Sequence, residues 1–543
     1  MKSTMMNDFA LVLPVLLERT AKLFSKVEIV SRRPDRSLHR YTYGDFYRRA
    51  RALAEQLQRM GIQPGDRVAT LMRNHYAHLE AYFGIPCCGG IVHTLNCRLH
   101  PDELVFIMKH AQDRFLIVDQ DLVPLYEGIR QKVNISRVLL FSYGESACGD
   151  YDGYEELLAG ASGGFEYRKI DEDDAAAMAY TSGTTGNPKG VLYSHRSIVL
   201  HSMTIGLTDG LSLSQSDVVM PLQPMFHANG WGYPHAAVML GAKLVFPGPH
   251  VDADSIIELL AGEQVTLSGG VPTVWTNIAE KLEAEPQRAK FASGLRIVCA
   301  GSAPSEALMR RLAVHGIHTL HAWGMTETSP FATINRRKSY MPVLRGQEAY
   351  AFNCRHGYAF PLIEVRAVSE GAEIPWDGKS MGELEVRGPW IAGDYYKCPD
   401  QAGRWTEDGW FRTGDVVTVD GEGYVWITDR VKDLVKSGGE WISSVDVENA
   451  LVAHPSVREA AVIAVPHPRW VERPIAVLVL QQGAAVSPQL LQNFLRERFS
   501  KWQVPDAFIF VDELPHTSVG KLLKSELRRR YRDWNWSKTE QAL

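Results

Sequence analysis

Apolar and polar residues alternate along the first part of the chain with two different periods. The stretch YGDFYRRARALAEQLQRMG, residues 43–61, repeats its apolar residues at helical spacing and ends at a glycine. The short apolar runs at 66–72 and 114–119, DRVATLM and RFLIVD, have the length and composition of strands. Similar helix-and-strand units recur at 255–270 and 306–324. The alternation predicts an α/β fold with parallel sheets and crossover helices.

The pattern changes after Gly382, where short strands and turns replace the helix-and-strand units. A basic, glycine-containing stretch, DRVKDLVKSGGEW, begins at residue 429, and about a hundred residues with their own strand and helix pattern follow it. We therefore expect a large N-terminal domain of several subdomains with mixed and parallel sheets at 1–429. A hinge at 430–432 and a small α+β C-terminal domain at 433–543 complete the predicted organisation.

The N-terminal apolar run Phe9–Leu17 has the length of the core of a signal peptide. Asp8 precedes the run, Pro14 interrupts it, and no small-residue cleavage site follows. We therefore expect a helix that packs on the first domain. No apolar run reaches the roughly 18 residues that a membrane-spanning helix needs, so stable membrane insertion is not expected.

Composition and charge narrow the class of protein. Of the 543 residues, 45% are hydrophobic and 22% charged, which is ordinary for globular domains. The formal net charge of −5 argues against a nucleic-acid-binding protein. The seven cysteines form no CxxC pair, so neither a disulfide framework nor a zinc cluster is indicated. A reducing, cytoplasmic location fits best.

The stretch YTSGTTGNPKG, residues 180–190, combines glycines, hydroxyl side chains and one lysine. Glycines let the backbone present its amides to anionic oxygens, and Lys189 adds a positive charge suited to phosphate. The spacing excludes a Walker loop, because Pro188 stands where that motif needs glycine and Gly190 where it needs serine or threonine. A G-x-G-x-x-G dinucleotide motif is also absent from this stretch. The pattern predicts a polyphosphate site of another kind.

The whole set of motifs resembles the adenylate-forming superfamily, which includes acyl-CoA synthetases, luciferases and the adenylation domains of peptide synthetases. Besides the loop at 180–190, the similar motifs stand in the family's order: WGMTETSP (323–330), GELEVRGP (382–389), GWFRTGDV (409–416), DRVKDLVKSGGEWISS (429–444) and PHTSVGK (515–521). The PMFHANGW stretch at 224–231 is most similar to bacterial medium- and long-chain fatty acyl-CoA synthetases. The resemblance implies that ATP activates a fatty acid as acyl-AMP, that pyrophosphate leaves, and that coenzyme A then displaces AMP.

The same resemblance assigns roles to individual residues. It implies catalytic roles for Lys189, Thr326, Glu327 and Lys521, with Glu327 as the Mg²⁺ ligand and Lys521 bridging the substrate carboxylate and the α-phosphate. Trp323 would stack on adenine, and Asp415 would accept hydrogen bonds from the ribose hydroxyls. The residues implied to bind ATP or AMP are Thr181, Ser182, Gly183, Thr184, Thr185, Gly301, Trp323, Asp415 and Arg430.

The resemblance also implies a mobile C-terminal domain that turns about Lys432 between the two half-reactions. The residues implied to line the acyl and coenzyme A tunnel are Phe226, His227, Trp231, Gly438, Gly439 and Trp441. Relatives that activate amino acids commonly carry aspartate at the position of His227, so an amino-acid substrate is not expected. Long-chain relatives often dimerise, which makes a homodimer possible.

Two alternatives to a fatty acyl-CoA ligase stay open at this point. A ligase for a short thioether acid such as methylmercaptopropionate shares this subgroup's motifs. A non-catalytic nucleotide sensor is less compatible, because a sensor needs neither Lys521 nor Glu327. A metal site at the evenly spaced His315, His318 and His321 is not expected, since a strand would turn the last two to opposite faces.

Overall fold

A computed structural model of the chain describes residues 4–6, 8–143, 151–181, 187–430, 433–437, 440–467, 470–516, 522–534 and 536, without the side chains at 402, 436, 440 and 441. Within these residues the chain forms four β-sheets with α-helices packed around them. The predicted α/β class is confirmed.

The helix Tyr43–Arg59 forms because its local signals agree. The Thr42 hydroxyl accepts from the amide of Asp45 at 3.2 Å, and the Asp45 carboxylate accepts from the amide of Thr42 at 2.8 Å, which is a capping box. Its buried apolar residues repeat at helical spacing, and the helix ends before Gly61, whose φ is +83°. The predicted helix is confirmed.

A seven-stranded sheet holds the predicted strands at 66–72 and 114–119, which are confirmed. Every neighbouring pair is parallel except the last, where the strand that begins just after Lys189 runs antiparallel to its neighbour. In spatial order its strands are Asp152–Gly153, Arg137–Phe141, Asp113–Asp119, Arg67–Leu71, Ile91–Thr94, Ala175–Tyr180 and Gly190–Ser194.

A nine-stranded sheet is parallel in its centre and antiparallel at both edges. The helix-and-strand units predicted at 255–270 and 306–324 are confirmed, and their strands belong to this sheet. In spatial order its strands are Tyr358–Ala359, Phe331–Ile334, His318–Gly324, Arg296–Cys299, Leu267–Gly270, Val218–Pro221, Lys243–Phe246, Glu28–Arg32 and Leu38–Thr42.

The helix Tyr76–Cys87 contacts strands of both large sheets, and all of its residues are buried. A helix buried on every side needs apolar residues all round, and YAHLEAYFGIPC meets that need with few charges. Just before it, the Asn74 amide nitrogen donates to the carbonyls of Pro221 and Gln223 at 3.1 and 2.8 Å. These contacts connect the loops of one sheet to the other.

Two five-stranded sheets follow in the C-terminal part of the chain. The first is antiparallel and consists, in spatial order, of Ala372–Glu373, Glu364–Ser369, Gly382–Arg387, Phe411–Val419 and Val425–Arg430. The second has its own apolar core and comprises Glu440–Ile442, Val435–Ser437, Val471–Leu480, Val457–His467 and Ala507–Phe510. The boundaries 1–429, 430–432 and 433–543 stay a prediction.

The α-helices pack against the sheets and against one another. Their bounds are Leu13–Phe24, Tyr43–Arg59, Tyr76–Cys87, Pro101–Ala111, Val123–Glu127, Tyr154–Ala159, His195–Gly206, Tyr233–Leu240, Ala253–Gly262, Pro272–Ala284, Glu306–Val314, Gly346–Asn353, Ser444–Val452, Pro488–Arg496 and Lys524–Arg530. The N-terminal helix buries Leu13, Leu16 and Leu17 against the first domain, as predicted, with Pro14 in its first turn. Across the described part of the chain, no helix combines the length and apolarity needed to cross a bilayer.

The Gly324→Ala substitution tests the close backbone approach at the end of the strand His318–Gly324. A Cβ on Gly324 would lie 1.7 Å from the carbonyl oxygen of Pro330, a backbone atom that cannot rotate away. We expect this variant to lower the free energy of unfolding by about 2 kcal/mol or more, the cost of overpacking.

The matched control is Gly262→Ala, because a Cβ there meets nothing within 4 Å and alanine favours the helix that Gly262 ends. Thermal unfolding of both full-length variants gives the comparison. Equal unfolding midpoints in the two variants would show that the backbone at Gly324 is not crowded.

Candidate functional site

A cavity of about 620 Å³ lies beside the ends of strands from three of the sheets. Thr181, Ala300 and Met325 line it, and each follows directly after a strand of the two large sheets. Asp415 and Arg430 line it from the antiparallel sheet. Ligands of α/β proteins bind beyond the carboxyl ends of parallel strands, so this position is the expected one for a functional site.

Most predicted site residues that the structure describes meet at this cavity. Those that line it are Thr181, Lys189, His227, Trp231, Gly301, Trp323, Thr326, Glu327, Asp415 and Arg430. Phe226 is buried but does not line it, and its carbonyl accepts from the Thr94 hydroxyl at 3.0 Å. The backbone of Trp441 lies in the strand Glu440–Ile442, and its side chain is outside the described residues. The predicted residues Ser182, Gly183, Thr184, Thr185, Lys432, Gly438, Gly439 and Lys521 also lie outside them.

The two ends of the predicted phosphate loop are joined to each other. The Thr181 amide donates to the Lys189 carbonyl at 2.9 Å, and the Lys189 amide donates to the Thr181 hydroxyl at 3.1 Å. The Lys189 ammonium donates to Gln401 Oε1 at 2.7 Å. Partial burial lowers the pKa of Lys189, and the nearby Arg404 charge lowers it further. The lysine is therefore held at the cavity wall at a fixed distance from the start of the loop.

The pair Thr326 and Glu327 is held by two tyrosines. The Tyr193 hydroxyl donates to the Thr326 carbonyl at 2.8 Å. The Tyr395 hydroxyl donates to Glu327 Oε1, and the Ala392 amide donates to the Glu327 carbonyl at 2.8 Å. The Glu327 residue is only 4% exposed, so its carboxylate depends on this donor and on whatever the cavity binds.

Trp323, Asp415 and Arg430 form a chain of polar contacts across the cavity. The Trp323 indole nitrogen donates to Asp415 Oδ2 at 2.9 Å, and Arg430 Nε lies 3.3 Å from Asp415 Oδ1. The tryptophan therefore has a polar contact that its predicted stacking role did not include. A carboxylate accepts about four hydrogen bonds, so Asp415 retains capacity for a ligand.

Two buried histidines line the same cavity with opposite tautomers. His321 Nδ1 lies 2.8 Å from the Cys354 carbonyl, so that nitrogen carries the proton. His356 Nδ1 accepts from the Ile427 amide at 3.2 Å, so its proton is on Nε2. Burial lowers the pKa of both imidazoles, to about 4 for His321, and both are neutral at pH 7. His318 is exposed whereas His321 is buried, which confirms that the evenly spaced histidines do not converge.

The apolar side of the cavity contains a left-handed turn. Ala228, Asn229, Gly230 and Trp231 have φ values of 42°, 55°, 59° and 55°. Asparagine and glycine adopt this conformation readily, whereas alanine and tryptophan each lose roughly 1 kcal/mol in it. The turn places the Trp231 ring 5.8 Å from that of Phe331, and both line the cavity. An Asn-Gly pair, here at 229–230, is a sequence pattern typical of such turns.

Two helices of the C-terminal part, Ser444–Val452 and Lys524–Arg530, also contribute charged residues to the cavity wall. The Lys524 ammonium donates to Ser444 Oγ at 2.5 Å and lies 2.6 Å from Glu448 Oε1. Asp429, at the end of the antiparallel sheet, accepts from the Ser444 amide at 2.5 Å. Burial would lower the pKa of Lys524, but the charges of Glu448 and Asp429 raise it. These contacts fix how the two sheets meet in this structure.

Sequence reasoning missed Tyr395, Gln401 and Arg404, which approach Lys189 and Glu327 from the segment 390–405. Their signal was weak, although aromatic and polar residues in a long loop beside a known motif are typical of binding sites. Lys524 and Glu448 were missed as well, because they lie in two separate helices and only tertiary packing brings them to the cavity.

Comparison with protein families gives two matches. A model described as AMP-binding enzyme matches residues 17–396, and one described as AMP-binding enzyme C-terminal domain matches residues 446–521.

Several known proteins and solved structures that resemble this chain are named CoA ligases. A long-chain-fatty-acid–CoA ligase of Thermus thermophilus is 47% identical, over 98% of this chain and 97% of its own length. A 3-methylmercaptopropionyl-CoA ligase of Ruegeria lacuscaerulensis is 41% identical, over 96% of this chain and 98% of its own. The crystal structure of an anthranilate CoA ligase in complex with anthranoyl-AMP superposes with a TM-score of 0.85 at 26% identity, covering 97% of this chain and 98% of that one.

The pH dependence of stability tests the buried Glu448. Burial raises the pKa of this carboxyl from 4.5 to about 7, against the opposing effect of Lys524. Since the folded state holds this proton more tightly, stability is greatest below pH 4.5 as far as Glu448 is concerned and falls as the pH rises toward 7. The expected fall is up to about 1 kcal/mol per pH unit in that window.

Glu448→Gln should flatten this part of the stability curve, because glutamine does not titrate and still accepts from Lys524. Glu497→Gln is the control, since Glu497 is exposed. Thermal unfolding at several pH values between 4.5 and 7 measures the effect. Parallel curves for the wild type and Glu448→Gln would refute the assignment.

Proposed function

The chain belongs to the family of AMP-binding enzymes, and we propose that it joins a medium- or long-chain fatty acid to coenzyme A through an acyl-AMP intermediate. Acid–thiol ligation is the activity of the named relatives. The observation that carries the proposal is that one cavity is lined by Lys189, Glu327, Trp323 and Asp415 together with Lys524 from the helix Lys524–Arg530. This combination suits ATP, whose phosphates and nucleoside need different partners.

The first half-reaction joins a carboxylate to the α-phosphorus of ATP and releases pyrophosphate. Both reactants are anions, so the site must neutralise charge and align them. In the proposed arrangement Lys189 and the hydroxyls of 181–185 hold the outer phosphates, and the Thr326 hydroxyl donates to the α-phosphate. Lys521 approaches the carboxylate and the α-phosphate from the C-terminal domain.

Mg²⁺ is proposed as the cofactor, and the donor set of the site fits it. Magnesium is usually held by one or two carboxylates and the substrate's phosphates, with water completing the shell. Glu327 supplies a carboxylate at the cavity wall, and Tyr395 is the side chain of the described residues that donates to it. Bound there, the ion would neutralise phosphate charge. No group of three ligating side chains that could hold a metal on its own is present among the described residues.

The nucleoside is proposed to lie between Trp323 and the loop that contains Gly301. Gly301 has a φ of +89°, and Ala300 precedes it at the end of the strand Arg296–Cys299. The ribose hydroxyls would donate to Asp415, whose carboxylate is already oriented by Trp323 and Arg430. Orientation before binding reduces the entropy that the complex loses.

The second half-reaction is proposed to follow rotation of the C-terminal domain about Lys432. Gly438 and Gly439 would then leave room for the pantetheine arm of coenzyme A beside Trp441. Leu522 lines the cavity, so the residue next to Lys521 already faces the site in the orientation described. This contact supports the adenylation role of Lys521. A cytoplasmic location and a homodimer stay predictions from the sequence.

The acyl chain is proposed to lie on the apolar side of the cavity. His227, Ala228, Trp231 and Phe331 form that wall, and none of these side chains carries a carboxylate that could pair with a substrate ammonium. A short thioether acid is the second candidate, because the Ruegeria relative that acts on one is 41% identical.

A panel of carboxylic acids separates the two candidates. Each buried methylene contributes about 0.8 kcal/mol, so kcat/KM should rise about fourfold per added methylene until the acyl site is full. We expect AMP release and thioester formation to increase from short to medium chains and to exceed those with methylmercaptopropionate. Assays with and without coenzyme A provide the control. Highest kcat/KM with the thioether acid would reverse the assignment.

Lys521→Ala tests whether this lysine acts in adenylation only and not in the transfer to coenzyme A. We expect acyl-AMP formation to fall on the order of 100-fold or more, the scale for losing one oriented donor in a reacting site. Synthetic acyl-AMP should still react with coenzyme A in this variant. Lys501→Ala, at an exposed lysine of the same domain, is the matched control. Equal loss of both half-reactions would argue against a role confined to adenylation.

A further inference from the structure

The segment 390–405 connects the two loops that carry the charges of the site. Lys189 precedes the edge strand Gly190–Ser194 of the seven-stranded sheet, whereas Glu327 follows the strand His318–Gly324 of the nine-stranded sheet. The two charges therefore belong to different sheets. Their separation depends on whatever side chains lie between them.

On the Glu327 side, the segment makes contacts through backbone and side chain. The Ala392 amide donates to the Glu327 carbonyl at 2.8 Å, and the Tyr395 hydroxyl donates to the Glu327 carboxylate. The Ser329 hydroxyl donates to the Trp390 carbonyl at 2.7 Å. The loop after Glu327 is thus attached to the segment at several points.

On the Lys189 side, the same segment holds the ammonium group. Gln401 Oε1 accepts from Lys189 Nζ at 2.7 Å, and that nitrogen lies 5.1 Å from the centre of the Tyr395 ring. A cation at this distance from an aromatic face is attracted to it. The Tyr396 amide donates to the Gly190 carbonyl at 2.9 Å, which joins the segment to the edge strand.

Tyr395 is the residue that contacts both charges. Tyr395 is only 3% exposed, and its ring packs edge-on against that of Trp405 with 5.1 Å between the ring centres. The Trp405 indole in turn donates to the Ala392 carbonyl at 2.7 Å. Ring packing therefore holds Tyr395 on one side, and the hydrogen bond from its hydroxyl to the Glu327 carboxylate holds it on the other.

Lys189 is partly buried and Glu327 is buried, so the attraction between their opposite charges is stronger than in water. They nevertheless form no ion pair within 4 Å, although both belong to the described residues. The Tyr395 ring is close to the cation while its hydroxyl bonds to the anion. A direct salt bridge between Lys189 and Glu327 would occupy both side chains. Neither would then be free to bind phosphate or a metal ion.

We propose that Tyr395 is a positioning residue that keeps Lys189 and Glu327 apart and oriented, so that each is available to the metal-bound polyphosphate. The inference rests on the proposed function and adds a residue that acts through the other two. Hydrogen-bond partners of metal-ligating carboxylates typically change metal affinity or activity by 10- to 100-fold when they are removed.

Tyr395→Phe isolates the hydroxyl, because phenylalanine keeps the ring beside Lys189. We expect the affinity for Mg²⁺ in the presence of ATP to fall about tenfold, with binding of metal-free ATP unchanged. Tyr395→Leu removes the ring as well and should also lower the affinity for metal-free ATP. Titration calorimetry without any acid substrate measures both affinities.

Tyr396→Phe is the matched control. It removes a hydroxyl from the next residue, whose ring faces His110 at 5.7 Å. We expect no change in either affinity. In pyrophosphate exchange, Tyr395→Phe should lower kcat with little change in the KM of the acid, whereas a general loss of structure would change both.

A double-mutant cycle with Glu327→Gln tests whether the tyrosine acts through the carboxylate. If it does, Tyr395→Phe should cause little further loss of Mg²⁺ affinity in the Glu327→Gln background. Additive losses, or an unchanged Mg²⁺ affinity in Tyr395→Phe, would overturn the proposal. A wild-type enzyme that binds Mg²⁺ and ATP but forms no acyl-AMP with any acid would instead refute the proposed function.

Discussion

The carboxylate of Asp415 is the contact on which the geometry of the cavity depends. It joins the end of the nine-stranded sheet, through Trp323, to the last residue of the antiparallel sheet, Arg430. Polar groups buried without partners cost several kcal/mol, so these three residues constrain one another. Because the chain passes from Arg430 into the second five-stranded sheet, the same contact also sets where that sheet begins relative to the cavity.

The charges around the cavity are separated by intervening groups, and this separation has a physical reason. A site for a polyanion must keep its cations available, yet isolated buried charges are unstable. Lys189 is stabilised by an amide oxygen and an aromatic ring, and Glu327 by a neutral phenol. Neutral partners stabilise a charge without cancelling it. The family relationship explains which residues occupy these positions, and the contacts explain why neighbouring residues outside the motifs matter as well.

The sequence was sufficient for features encoded locally. The helix Tyr43–Arg59 follows from its period and its cap, and Thr181 and Lys189, which line the cavity, were indicated by residue type as the ends of a predicted phosphate loop. Tyr395 could not be found this way, because its partners lie 68 residues away at Glu327 and farther still at Lys189. The left-handed backbone at Trp231 had only a partial signal in its Asn-Gly neighbours. Contacts between segments that are distant in the sequence produce no repeating pattern from which a single sequence could predict them.

The buried cluster of Lys524, Glu448 and Asp429 bears on the proposed rotation of the C-terminal domain. Lys524 and Glu448 both belong to that domain and would move together, whereas Asp429 lies in the last strand of the preceding sheet and would stay behind. Rotation would therefore keep the lysine–glutamate pair but remove the Asp429 charge and the Ser444 amide contact. Breaking a buried contact of this kind is costly unless water or a new partner replaces it. The two domain orientations can be close in energy only if Asp429 becomes hydrated when the domain turns, and release of its carboxylate to water would offset the lost contact with Ser444.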